Sequence, residues 1–275
     1  MVLLLRVALF AVLAVGVVVA LAYLLWSGAI DRDVALLQAG AKPPSAIPIT
    51  AERLAVLPPP AIRYFTRAGI VGTAIPRLVR LTQRGRIRSS TDAAWMMLEA
   101  DEVYSTHPPA LLWRAGMPGL ALPLVLGRDA YLGGEGSIAM KLLALLPVAD
   151  ERGDALRAAG LMRYLNEMMW FPAAYLGENV TIFPVGDNAF GVRIADRGLV
   201  AEATLFVDGE GRVVNFRANR FNTTTRRNET WETPISGWGR MAGLELPTAG
   251  AADWKLADGD LRYIELEITG VSYEP

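Results

Sequence analysis

The sequence contains no cysteine and a single histidine, His107. Without cysteine there can be no disulfide, thiolate zinc site, iron–sulfur cluster, cysteine nucleophile or lipid attached through a thioether. One imidazole, set before Pro108-Pro109, cannot build a His-rich metal site or an H-E-x-x-H helix, and it reads as a loop histidine. The chain also lacks the G-x-S-x-G elbow of many hydrolases and the G-x-x-x-x-G-K-[ST] loop that cradles phosphates. A net charge of −1 and an isoelectric point near 6.0 leave no basic footprint for nucleic acid. No cofactor, metal or nucleic-acid partner is therefore expected.

What the chain has in excess is apolar sequence near its start. Of 275 residues, 52% are hydrophobic and the mean hydropathy is +0.29, and Val7 to Trp26 contains no charge. That run is longer than the roughly 18 residues needed to span a hydrocarbon core of about 30 Å. Small residues at Ser27-Gly28-Ala29 suit signal cleavage, but the run exceeds the about 7–15 residues of a signal h-region. Residues 1–28 are therefore expected to be a retained transmembrane signal-anchor, with Tyr23 and Trp26 at the headgroup level. Arg6 lies on one flank and Asp31, Arg32 and Asp33 on the other, so the positive-inside rule predicts an extracytoplasmic globular domain.

Residues 29–49, with Lys42-Pro43-Pro44-Ser45 and Ile47-Pro48, read as a linker, and residues 50–275 as one globular β-rich domain. Thr50 is placed to cap a short helix, and Pro60 to open another over Ala61–Ala68 that Gly69 and Gly72 end. From Arg77 the period becomes two, with Val79, Leu81, Gln83 and Ile87 on one face and Arg80, Thr82, Arg84, Arg86 and Arg88 on the other. Further strands are predicted around 94–104, 111–115, 124–132, 138–146, 179–185, 189–194, 199–207, 212–221, 226–233 and 261–273. Asp208-Gly209-Glu210-Gly211 is the clearest hairpin turn. Asp154 to Trp170 carries Leu161, Tyr164, Leu165 and Met168 at helical spacing before Pro172, and Gly160 within it points to a close backbone approach. Successive strands with one long helix between them describe an α+β fold: an N-terminal transmembrane helix, then a curved, mainly antiparallel, half-barrel-like sheet with a helical cover.

Several constellations could carry chemistry. Gly134-Glu135-Gly136-Ser137-Ile138-Ala139 fits the dinucleotide fingerprint, but the surrounding pattern offers no βαβ unit, so a glycine-rich turn between strands is the better reading. On the long helix, Arg163, Glu167 and Trp170 at i, i+4 and i+7 put a guanidinium, a carboxylate and an indole on one face. If that face is buried the pair must be satisfied internally, so Glu167 truncation costs about 3–5 kcal/mol where Arg163 is left uncompensated, and under about 1 kcal/mol where both are exposed. Glu99, Asp101 and Glu102 near Arg128-Asp129 form an acidic cluster, in which Glu99 and Asp129 are candidate partners of the Arg163/Glu167 centre. The arginines at 80, 84, 86 and 88, with those at 217, 220, 226 and 227, could meet anionic lipid headgroups or be neutralised by acids across the sheet.

Leu57-Pro58-Pro59-Pro60-Ala61-Ile62-Arg63-Tyr64-Phe65, Arg128-Asp129-Ala130-Tyr131 before Gly134-Glu135-Gly136, and Arg163-Tyr164-Leu165-Asn166-Glu167-Met168-Met169-Trp170-Phe171-Pro172 together carry a resemblance. From about Leu57 to Tyr273, including Trp254 and Tyr263, the chain resembles a bacterial family known as domain of unknown function 6544. The resemblance implies the extent of the domain and a bacterial origin, and supplies no catalytic residue. The architecture is similar to the half-barrel of bacterial lipoprotein carriers. Three functions fit. The first is an envelope protein binding a lipid or other hydrophobic ligand between sheet and helix, with Trp170, Tyr164 and Met168 as ligand contacts. The second is an enzyme of unrecognised type centred on Arg163 and Glu167, and the third an interaction module for an envelope partner.

Overall fold

The structure, a computed structural model, describes residues 1–44, 46–119 and 122–275; Ser45 of the expected linker lies outside them. Helix α1, Val2–Gly40, is one continuous helix, so the first twelve residues expected to form an extended linker are helical instead. The reason is local: Ile30, Val34 and Leu37 repeat at helical spacing, and Ile30 and Leu37 are buried against Leu78, Val103, Leu112 and Ala130. The prolines at 43, 44 and 48 act only after the helix ends.

Helix α2 (Ala51–Ala55) starts at Thr50, whose Oγ1 accepts from the Arg53 amide at 3.3 Å. Helix α3 (Pro59–Ala68) begins on proline and ends at Gly69, whose φ of +81° is open to glycine without strain. The strands follow: β1 (Leu78–Ile87), β2 (Met96–Thr106), β3 (Pro109–Met117), β4 (Val125–Leu132), β5 (Glu135–Leu142) and β6 (Leu146–Arg152). Helix α4 (Asp154–Glu167) and two 3₁₀ turns, Met168–Trp170 and Pro172–Leu176, come next. The chain then returns to strands with β7 (Val180–Gly186), β8 (Ala189–Asp196), β9 (Leu199–Val207), β10 (Val213–Asn222), β11 (Arg227–Glu232), β12 (Ile235–Met241), β13 (Leu244–Leu256) and β14 (Gly259–Glu274).

Among the described residues all fourteen strands belong to one sheet, ordered β6-β5-β4-β3-β2-β1-β14-β13-β11-β10-β9-β8-β7, with β12 paired to β13, and every pairing is antiparallel. The sheet is not closed into a barrel. Its two edges, β6 and β7, are consecutive along the chain, and the segment joining them, α4 with the 3₁₀ turns, crosses the inner face. The main core forms there, from Tyr104, Tyr131, Tyr164, Phe171, Phe190 and Phe216 among others. Each such buried side chain contributes roughly 1.5–3 kcal/mol.

Two glycines let α4 lie close. A Cβ on Gly160 would stand 3.1 Å from the Tyr131 ring, and one on Gly136 would stand 1.8 Å from the Leu156 carbonyl oxygen. The fingerprint-like glycines therefore serve a hairpin: Gly133 and Gly134 turn β4 into β5 with positive φ, and Gly136 admits the first turn of α4. His107 sits in the β2–β3 turn, where its carbonyl accepts from the Lys42 amide at 2.7 Å.

The basic face of β1 is neutralised across the sheet by β14. Arg80, Arg84 and Arg86 pair with Glu274, Glu267 and Glu265, and Arg217, Arg226 and Arg227 with Glu232, Glu151 and Glu229.

Candidate functional site

Alternation along β2 sorts its acids. Glu99 and Asp101 point to the outer face, while Leu98, Ala100, Glu102 and Tyr104 point inward beneath α4. Asp129 on β4 faces the same way, and Arg163 and Glu167, one turn apart on α4, descend to meet them. Arg163 donates Nε to Glu167 Oε1 at 2.8 Å, Nη1 to Asp129 Oδ2 at 2.7 Å and Nη2 to Glu102 Oε1 at 3.0 Å. Its guanidinium lies 5.2 Å from the centre of the Trp113 ring. Trp113 Nε1 donates to Gln83 Oε1 at 3.2 Å, and Gln83 Nε2 to Glu102 Oε2 at 3.0 Å, which extends the network under the sheet.

Of the residues expected at the polar centre, Arg163, Glu167 and Asp129 come together. Glu99 does not: it is exposed on the opposite face, and Glu102 occupies the place expected for it. The signal was present in the period of two, which separates position 102 from 99 and 101.

One cation faces three carboxyl groups here, and the side chain of Glu102 is fully buried. Burial, then the negative charge of Glu167, push the Glu102 carboxyl well above the usual range, against the opposing pull of Arg163. The same burial and the charges of Glu102 and Glu167 push the Tyr104 hydroxyl up. Glu167 Oε2 and the Tyr104 hydroxyl are both buried without a hydrogen-bond partner.

Above this cluster lies a cavity of about 340 Å³, enclosed by α4, the sheet and the β10–β11 turn. Its floor includes Asp129, Arg163 and Glu167, and its walls are mostly apolar and aromatic, with Trp113, Trp231, Trp254, Met140 and Leu266 prominent. Trp170 also lines it, with Nε1 donating to the Pro247 carbonyl at 3.1 Å. Tyr164 and Met168, expected as ligand contacts, are not among the lining residues. Both are buried in the core, and the Tyr164 hydroxyl donates to the Ser105 carbonyl at 3.1 Å. Trp231, Trp254 and Tyr263, which do line it, sit on strands far along the chain, and only the pairing of β11, β13 and β14 brings them opposite α4. Among the described residues no group of acidic and histidine side chains could hold a metal ion.

No curated protein matches the chain. Among the solved structures to which the chain shows a low similarity are two of bacterial origin. One is a LolA superfamily protein from Nitrosomonas europaea, with 9% identity and a TM-score of 0.42 over 82% of this chain and 94% of that one. The other is a putative outer membrane lipoprotein-sorting protein domain from Vibrio parahaemolyticus, with 9% identity and a TM-score of 0.44 over 82% of this chain and 93% of that one. At 9% identity neither carries its function over. Residues 48–266, which hold α2, α3, α4, the charged cluster and nearly every strand, match the model of a family of unknown function (DUF6544), and the chain belongs to that family.

Proposed function

We propose that this chain is a membrane-tethered, extracytoplasmic binding protein whose cavity takes a hydrophobic ligand. The observation that carries the reading is the cavity of about 340 Å³ beneath α4, a size within the roughly 300–1,000 Å³ of small-molecule sites, with aromatic and methionine walls. The charged cluster at its floor supports a positioning role, because each donor nitrogen of Arg163 is already taken by a carboxylate.

Tethering is supported by α1. It is long and apolar enough to cross a membrane, and its helix continues through Ser27, Gly28 and Ala29. Beyond the apolar run it is fixed to the domain: Asp33 accepts from Arg128 at 2.7 Å, Asp31 pairs with Arg114 at 3.3 Å, and the Lys141 ammonium lies 5.1 Å from the Trp26 ring. Tyr23 donates to the Pro123 carbonyl. A cut after residue 29 would leave Ile30 and Leu37 in place but remove the contacts made by Tyr23 and Trp26.

The test is the mass spectrum of an organic extract from the full chain purified in a neutral detergent. A bound lipid or other apolar molecule near one equivalent is expected, and its absence from protein gently extracted from its own membrane would overturn the reading.

A further inference from the structure

Four arginines line the cavity, and they differ in what neutralises them. Arg163 has three carboxyl groups, and the side chain of Arg128 turns to the outer face of the sheet, where Asp33 of α1 pairs with it. Arg88 is only half-buried and is held by the backbone carbonyls of Arg262 and Thr91, at 2.8 Å each. Arg220 is the exception: its residue is 8% exposed, and among the described residues it has no acidic partner.

Three contacts hold Arg220 in place. Its Nε donates to the Ala159 carbonyl of α4 at 3.2 Å, and the guanidinium lies 4.6 Å from the Trp231 ring and 5.9 Å from the Trp254 ring. Both indoles line the cavity. Its two terminal nitrogens have no hydrogen-bond partner in the protein, and neither is sealed from the cavity as a buried unsatisfied atom. A buried cation without a counter-ion is costly, and a paired donor fork matches an oxyanion in the plane that Arg prefers. The indole faces fix the fork by cation–π attraction and leave its outer edge free.

The surroundings select what could bring the oxyanion. Tyr263, Ile264, Leu266 and Met140 line the same cavity and offer an alkyl chain apolar contact, while Asp129 and Glu167 on its floor are occupied by Arg163. The volume lies at the low end of the ligand-site range and suits one chain better than several.

Resting on the ligand-binding reading above, we infer that the cavity takes a single-chain amphiphile with an oxyanionic head group, and that Arg220 holds the head group with its two free nitrogens. A carboxylate and a phosphate monoester share the required chemistry.

The test uses the full chain in a neutral detergent at pH 8.5, with palmitate, hexadecyl phosphate, hexadecanol and acetate as probes, followed by native mass spectrometry and tryptophan fluorescence. Palmitate or hexadecyl phosphate, or both, should bind at least about tenfold more tightly than hexadecanol, the gain of a charge-assisted hydrogen bond. The tighter of the two identifies the head group. In Arg220→Met that preference should vanish while hexadecanol affinity stays within about twofold. Equal binding of palmitate, hexadecyl phosphate and hexadecanol by the natural chain would overturn the head-group assignment and leave the ligand-binding reading standing. A preference that persists in Arg220→Met would do the same. Failure of every long-chain probe would sink both. Acetate competing as well as palmitate would mark a plain anion site and overturn the amphiphile. The comparison of acid with alcohol on the natural chain needs no variant, so it decides even if Arg220→Met does not fold.

Discussion

Arg163 is held by three carboxylates, and this changes what its neighbours contribute. Removing Glu167 does not leave the arginine uncompensated, because Glu102 and Asp129 remain at 3.0 and 2.7 Å. The loss of about 3–5 kcal/mol expected for an abandoned buried charge therefore belongs to Arg163→Met, which leaves three carboxyl groups without a cation. Glu167→Ala loses one charge-assisted hydrogen bond and some packing, about 1–3 kcal/mol, and also relieves the repulsion that raises Glu102. Urea unfolding of both variants checks the order; equal losses would mean that the cluster is not organised around the arginine. Glu102 adds a pH signature. Its pKa in the folded protein is raised above the unfolded value of about 4.3, so the folded state binds the extra proton. The resulting stability is fully present below about pH 4.3 and is lost as pH rises through the higher folded value. Glu102→Gln, which keeps a neutral group of the same shape, should flatten that decline, and parallel stability curves for the two proteins above pH 4.3 would rule the protonated carboxyl out.

Among the elements, α4 owes its place to glycine. Gly136→Ala would drive a methyl into the Leu156 carbonyl at 1.8 Å, a backbone atom that cannot step aside, and should cost about 3 kcal/mol or more. Gly160→Ala meets only the edge of the Tyr131 ring at 3.1 Å and regains about 1 kcal/mol of helix propensity, so its net loss should be smaller. Thermal unfolding ranks the pair, and the reverse order would show that α4 is not seated on β5 as described. The helix, the Asp208–Gly211 hairpin and the basic strand β1 were all legible from period and turn chemistry. Strands β12 and β13 were not, because Gly237 and Gly239 weaken the first, and in the second Pro247 is followed by small residues, Thr248 to Ala252, without alternation. Pairing with β14 supplies what local preference does not. The helical course of residues 29–40 was readable from Ile30, Val34 and Leu37, but the end of the charge-free run concealed it. The cavity was the least legible feature, since its walls come from strands separated by more than a hundred residues and only their pairing order brings them opposite α4.

The whole molecule is oriented by α1. Along the outer face of the sheet it contacts, in order, Pro123 and Lys141, then Arg114 and Arg128, then Leu78 and Ala110, so its apolar half leaves the domain beside the ends of β3, β4 and β5 at Met117, Val125 and Leu142. That end carries Leu122, Leu124, Leu145, Leu146 and Val148, each at least 40% exposed. On the tethered reading proposed above, Tyr23 and Trp26 would mark the headgroup level on α1, on the side of the domain where these side chains lie. A domain held there would rest its apolar rim in the interface. Since the chain has no cysteine, single labels test this cleanly. Nitroxides on Leu146→Cys and Val148→Cys in full chain reconstituted into bilayers should collide with oxygen more than with a water-soluble nickel chelate. A label on Glu135→Cys, at the opposite end of β5, should show the reverse. Equal access of the nickel chelate to all three positions would mean that the rim stands clear of the membrane, and a ligand would then have to cross water to reach the cavity.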